Sequence, residues 1–419
     1  MNRVAVTGVG SINPLGKTKS EFIENLKKMK TGTGYITQFD STGHKVKVAA
    51  EIKDFDPCEY MDKKSARRYD RVLQLAVAAS KKALEDSGLE PEGVWRDNAA
   101  VLVASGIGGF KTLYREFEVM EKKGPKAVSP YLIPMMIADM PSGVVSMELG
   151  LKGPNFSTVS ACASSLHAII ISSMMIMHGY IDAAFAGGAE ATIDPLPVAA
   201  FANMTALSQS EDPLTACRPF DRQRDGFVMG ESSGVLVLEN YEHALKRGAK
   251  IYGFINGFGM TGDAYHLSAT DPQGIQAARA MKLAMEMSGI GPEDIDLVSC
   301  HATSTPVGDL SEIRAVKKAL GESSKKVVIQ ASKALLGHGL GAAAATELIG
   351  AILQAQEGFV HGMPNLMEPD DEFAGLNMPR QTVNAPIKVI LKNSFGFGGH
   401  NAALVYTKNQ DYGIKGEEN

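Results

Sequence analysis

Along the 419-residue chain, short runs of small and β-branched apolar residues alternate with longer stretches whose apolar positions recur every three to four residues. The short runs are RVAVTGVG, AAVLVASG, FSTVSACA, AAFAGGAE, GVLVLEN, IYGFINGFG, IDLVSCHA, KVVIQASK and KVILKNSFGFGG. Continuously apolar strands separated by helices imply a sheet covered on both faces, so the pattern predicts an α/β architecture. Helices are predicted over 71–87, 164–178, 274–288, 310–320 and 340–356.

The order of these elements occurs twice. DNAAVLVASGIGG pairs with EDIDLVSCHATST, STVSACASSLHAIIIS with VVIQASKALLGHGLGAAAATELIGAI, and AAFAGGAEATIDP with LKNSFGFGGHNAALV. A period near half the chain predicts two fused halves, 1–250 and 251–409, followed by a polar tail over 410–419. The charged stretch YEHALKRGAK reads as a helix and connector between them. A duplication of this kind predicts a site where equivalent turns of the two halves face each other.

Composition narrows the class. With 44% hydrophobic and 21% charged residues the chain reads as soluble and globular. Its formal net charge of -5 gives no global attraction to nucleic acid or an anionic membrane, so an acidic partner needs a local basic patch. Cys58, Cys162, Cys217 and Cys300 form no CxxC pair, which fits a reducing compartment and neither a disulfide framework nor a zinc cluster. The start MNRVAVTGVG enters a strand-like run directly and shows no targeting pattern. The most apolar helix is too short to span a bilayer. These features predict a cytoplasmic protein. TGVGSINPLG offers Gly8 and Gly10 but no third fingerprint glycine, and Pro14 follows, so dinucleotide binding is rejected.

Four turns could carry chemistry. In VSACASSLHAII a predicted strand, 156–160, delivers Cys162 to a helix N-terminus, a setting that favours thiolate; a buried, inert cysteine is the competing reading. In SCHATSTPVGD, His301 leaves a strand as a base or hydrogen-bond donor, or as a structural group, with Thr303 and Thr305 behind it. In ASKALLGHGLGAAAATE, Lys333 and Glu347 accompany His338 and are expected to pair, because each buried alone would be costly. In NSFGFGGHNA, glycines around Phe395 and Phe397 permit unusual dihedrals. Lys63, Lys64, Arg67, Arg68 and Arg71 recur at helical spacing as one positive stripe, either a solvated face or a docking surface.

Together and in this order, VAVTGVGSINPLG, GLKGPNFSTVSACASSLHAI, ACRPFDRQRDGFVMGE, HATSTPVGD and NSFGFGGHNA resemble the condensing enzymes of the thiolase superfamily, in particular the β-ketoacyl-[acyl-carrier-protein] synthase II type. The resemblance implies duplicated βαβαβαββ halves in an αβαβα layering and a homodimer. It implies a decarboxylative Claisen condensation, without metal or redox cofactor, between an acyl group on Cys162 and malonyl-acyl carrier protein. By resemblance, His301 and His338 donate to the thioester oxygen from Nε2, which requires a tautomer-fixing partner on the other nitrogen. Lys333 and Glu347 support them as an ion pair, and the amides of Cys162 and Phe397 form the oxyanion hole. Thr303 and Thr305 would bind pantetheine, Phe397 and Phe201 would gate the pocket, and Ile107 would line it. The basic stripe would dock the carrier protein.

The chain also departs from that pattern. Leu132 stands where relatives often place a phenylalanine that reaches the neighbouring subunit's acyl pocket. CASSLHA is also similar to polyketide synthases. The alternatives are therefore a ketosynthase of a secondary polyene or polyketide pathway, a thiolase, and a non-catalytic chain-length-factor-like subunit. The last class normally lacks the nucleophile.

Overall fold

A computed structural model describes residues 1–90 and 92–409; the tail expected over 410–419 lies outside the described residues. Nine strands form the main sheet: β1 (Val4–Ile12), β2 (Ala99–Ala104), β3 (Ala183–Glu190), β4 (Ser232–Asn240), β5 (Gly253–Gly262), β6 (Leu297–Ser299), β7 (Val328–Gln330), β8 (Val389–Gly396) and β9 (His400–Thr407). Seven helices matter for the site: α1 (Lys63–Arg68), α2 (Arg71–Ser87), α3 (Met140–Leu149), α4 (Ser164–Met177), α5 (Ile275–Ser288), α6 (Pro306–Leu320) and α7 (Ala343–Glu357).

In the spatial order β2-β3-β4-β1-β5-β9-β8-β6-β7, four strands repeat outward from the centre (β1 and β5, β4 and β9, β3 and β8, β2 and β6), and β7 extends the second half alone. In the first half β2 and β3 are parallel, and β4 is antiparallel to both β3 and β1. In the second, β6 and β8 are parallel, and β9 is antiparallel to both β8 and β5. Antiparallel pairing of Val4–Val6 with Gly253–Ile255 joins β1 to β5. The two-residue period sends alternate side chains to opposite faces. On β2, Ala100, Leu102 and Ala104 enter the inner core with α4 and α7, whereas Ala99, Val101 and Val103 pack beneath α2 and α3. On β8, Ile390 faces inward and Val389 and Leu391 face α5 and α6. The result is the expected αβαβα layering, with α4 and α7 between the two halves of the sheet.

The false dinucleotide motif has a packing role. A Cβ on Gly10 of β1 would sit 2.0 Å from the Ala79 carbonyl oxygen of α2, and one on Gly259 of β5 would sit 2.1 Å from that of Ala280 on α5. Glycine lets each central strand take a helix against its backbone, once in each half.

Several expectations need correction. FSTVSACA is not a strand: only Asn155 bridges Val101, in parallel register. Beyond it the Ser160 N–H donates to Ser164 Oγ, and Thr158 Oγ1 donates to the Ser164 carbonyl, so hydroxyl contacts replace a ladder. β9 follows the GFGG turn so closely that the apolar pattern merged it with β8. α6 begins at Pro306, four residues ahead of the expected 310, because proline suits a first helical turn. Leu340–Ala342 is a tighter 3₁₀ turn ahead of α7.

Candidate active site

Cys162 lies in a 3₁₀ turn, Ala161–Ala163, that runs into α4. Ala161 holds φ +49°, the left-handed twist that turns the chain so sharply. The end of β8 presses against this turn. A Cβ on Gly396 would lie 3.2 Å from the Cys162 nitrogen, and Ser394 Oγ donates to the Cys162 carbonyl at 2.9 Å. Glycine at 396 allows this approach, and Phe397, next in the chain, lines the same cavity as Cys162.

His338 arrives from the second half with Nε2 3.1 Å from Cys162 Sγ. The His301 ring is 5.5 Å from that of His338, at 83° to it. The cysteine sulfur and one nitrogen of each imidazole all lie within 4.8 Å of one another. The predicted convergence of the two halves is therefore present. Phe227 and Phe395 pack edge-on against His338 and His301 respectively.

Electrostatics here differ from expectation in two respects. The helix N-terminus was expected to lower the thiol pKa, but enclosure by protein pushes Cys162 up to about 12, with Lys333 the strongest opposing influence. Desolvation outweighs the helix terminus. Burial, reinforced by Lys333, holds both imidazoles well below the usual histidine range. Burial thus favours the uncharged forms of the thiol and of both imidazoles. The tautomer-fixing partners are also missing: among the described residues, Nδ1 of neither His301 nor His338 has a hydrogen-bond partner.

Lys333 and Glu347 do pair, at 2.5 Å, and Lys333 Nζ also donates to the His301 carbonyl at 2.6 Å. They stand behind the histidines and do not line the cavity. A cavity of about 590 Å³, mostly apolar, opens onto Cys162, and Ile107, Phe201, Thr303, Thr305 and Phe397 all line it. The two threonine hydroxyls are 3.0 Å apart. Phe201 lies between Phe227 and Phe397, at ring distances of 5.5 and 6.4 Å. Leu132 is half-buried on a short helix and does not border this cavity.

The basic stripe is broken. α1 ends before Tyr69, and Asp70 caps α2 through the Val72 N–H, so the chain changes direction between them. Lys63, Lys64 and Arg67 are exposed, and the Arg68 guanidinium stacks over Tyr131. Arg71 instead turns inward, with Nε and Nη2 on the Glu231 carboxylate at 2.6 and 2.9 Å. It belongs to the interior and not to the surface stripe.

Three site residues escaped the sequence reading. Glu190 accepts from Ser105 Oγ and from the amides of Gly106, Ile107 and Gly341. Glu312 accepts from the amides of His301 and Ala302. Lys392 donates to Glu347. Glu190 and Lys392 are each a charge inside an apolar run, and that was the available signal; Glu312, in the mixed-charge stretch PVGDLSEIRAVKKAL, gave none.

The match to known proteins agrees with this geometry. Residues 1–244 match the family model described as beta-ketoacyl synthase, N-terminal domain, and residues 252–367 match the beta-ketoacyl synthase, C-terminal domain. The chain belongs to the β-ketoacyl synthase family. More particularly, it is 44% identical to 3-oxoacyl-[acyl-carrier-protein] synthase 2 of Synechocystis sp., over 97% of this chain and 98% of that one. The Staphylococcus aureus protein of the same name is 42% identical, at 97% and 98% coverage. Among solved structures, the ishigamide ketosynthase/chain length factor superposes with TM-score 0.91 at 32% identity, covering 97% of this chain and 99% of that chain. A β-ketoacyl synthase from Burkholderia phymatum gives 0.90 at 32% identity, with 98% and 100% covered. A type II polyketide ketosynthase solved with its acyl-carrier protein gives 0.90 at 29% identity, again with 98% and 100% covered.

Proposed function

We propose that the chain is a 3-oxoacyl-[acyl-carrier-protein] synthase that elongates acyl chains in fatty acid biosynthesis, with Cys162, His301 and His338 as its reacting side chains. The carrying observation is the contact of Cys162 Sγ with His338 Nε2 at the floor of an apolar cavity shared by both halves. The synthase 2 relatives, at 42–44% identity, favour the fatty-acid pathway over the polyketide alternative.

In the first half-reaction Cys162 attacks an acyl thioester while His338 Nε2 takes the thiol proton. That proton then passes to the departing pantetheine sulfur, leaving acyl-Cys162. A neutral thiol–imidazole pair suits this route, since no charge need be held in the closed site beforehand. The cavity wall supports the remaining assignments: Thr303 and Thr305 for the pantetheine arm, and Phe201 and Phe397 as gates, with Ile107 bounding the acyl chain.

In the second half-reaction malonyl-carrier protein replaces the first carrier. His301 and His338, each protonated on Nε2, donate to the thioester oxygen as carbon dioxide leaves, and the enolate attacks acyl-Cys162. Amides of Cys162 and Phe397 hold the resulting oxyanion, a term worth about 3–4 kcal/mol for one such donor. The attack makes the new carbon–carbon bond; collapse of the oxyanion then breaks the Cys162 carbon–sulfur bond, and the released thiolate regains a proton from solvent through His338.

A ketosynthase of this kind works with an acyl carrier protein. The exposed Lys63, Lys64 and Arg67, with Arg68, would receive that acidic partner. A homodimer is expected of a ketosynthase of this kind, and Leu132 would approach the neighbouring subunit's pocket in it. The test is intact mass spectrometry after incubation with acyl-carrier proteins, followed by malonyl-carrier protein. An acyl mass retained on Cys162, then discharged with carbon dioxide release, is expected; a chain that takes no acyl group overturns the assignment.

A further inference from the structure

Lys392 lies in β8, within VILKNSFG, on the same face as Ile390 and Ser394 and therefore inside the molecule. It is fully buried. An ammonium group is kept in such a place only when oxygen atoms surround it. Its Nζ contacts Glu347 Oε2 at 2.5 Å and the carbonyls of Ser299 and Cys300 at 3.4 and 3.5 Å. Lys333 takes the other oxygen of the same carboxylate and the next carbonyl along the chain, that of His301.

Two ammonium groups bridged by Glu347 thus hold three successive carbonyls at the end of β6, where His301 departs. On the opposite side of that turn, Glu312 accepts the His301 and Ala302 amides, and also Asn393 Nδ2 at 3.1 Å. Two cations and two carboxylates, balanced in charge, therefore fix the backbone of His301 from both sides. Burial draws Lys392 below the usual lysine range while Glu347 opposes the shift.

We propose that Lys392 is a positioning residue for decarboxylation, acting through Glu347 and the Ser299–His301 carbonyls to hold His301 where it meets the malonyl thioester. The proposal rests on the role given above to His301. Lys392 touches neither the cavity nor Cys162, so acyl transfer should scarcely register its loss.

The test is Lys392→Met, nearly isosteric and uncharged, assayed in each half-reaction separately. Carbon dioxide release from malonyl-carrier protein is expected to fall about tenfold or more in kcat, with KM and the rate of acyl loading on Cys162 held within about twofold. In a Glu347→Gln background the same substitution should add less than it does alone, because one of its two routes is already cut. Should Lys392→Met fail to fold, Lys392→Gln, uncharged but with a donor left for the carbonyls, should lower carbon dioxide release in the same selective way by a smaller factor. Equal losses in both half-reactions, undiminished carbon dioxide release, or a full additive loss in the Glu347→Gln background would each overturn the proposal. A wild-type enzyme that loads acyl groups yet releases no carbon dioxide would instead overturn the decarboxylating role of the histidines.

Discussion

Two turns occupy equivalent places in the halves, Ser105–Ile107 after β2 and His301–Thr303 after β6, and a buried carboxylate holds each by its amides. The carboxylates come from different elements. Glu190 ends β3 and reaches across to Gly341 of the other half, whereas Glu312 rides on α6. The first turn lines the cavity through Ile107, and the second through His301. A parallel contrast separates the turns that precede the inner helices. Ahead of α4 the chain places Cys162, and ahead of α7 it places the buried Lys333, its ammonium on Glu347. One backbone arrangement used twice leaves its loops free to diverge, and here one half places Cys162 while the other places His301, His338 and the Lys333–Glu347 pair.

The contrast is most severely tested at the nucleophile. Cys162→Ala should lower condensation by about 10³-fold or more while leaving the fold intact, and Cys162→Gln should keep or raise carbon dioxide release from malonyl-carrier protein. Condensation surviving in the alanine variant would move the nucleophile elsewhere. Next come the mirrored glycines. Gly10→Ala and Gly259→Ala should each destabilise the chain by about 1–3 kcal/mol or more in denaturant unfolding, since a Cβ at either site overlaps a helix carbonyl. A silent result at one site alone would break the mirror.

Glu190 offers a pH test. Burial pushes its carboxyl up to about 7 despite its donors. A folded pKa raised from the ordinary 4.5 means that the folded state holds the proton more tightly. Its stabilising contribution is therefore full below about 4.5 and is lost as pH rises through about 7. Thermal unfolding of the wild type should weaken across that window, and Glu190→Gln should flatten the slope. The smallest effect concerns the surface. Lys63→Glu with Arg67→Glu should raise KM for the carrier protein by about tenfold at low salt and by less at high salt, with kcat unchanged. Arg71, committed to Glu231, should instead affect stability when replaced.

Much of this was legible in the sequence because it depends on order. Cys162, His301 and His338 each follow an apolar run and a small-residue turn, and the internal repeat places those turns together. The length of α2 follows from apolar spacing and an aspartate cap, both local features. What escaped depends on distance through space. The spacing of Arg71 continues the stripe of α1, and only the change of direction at Tyr69–Asp70 turns it inward. The thiol pKa could not follow from a helix terminus alone, because the opposing effect is enclosure by residues from both halves. Lys392 was visible as a charge in a strand, but the carboxylate that receives it lies 45 positions earlier in the chain.

The pairing of β1 with β5 constrains how substrates come and go. A seam stitched by main-chain hydrogen bonds and backed by two shared helices cannot part like jaws. If Phe397 gates the cavity as proposed, the movement belongs to that side chain and to the turn through Gly398 and Gly399, both with positive φ, while the walls stand still.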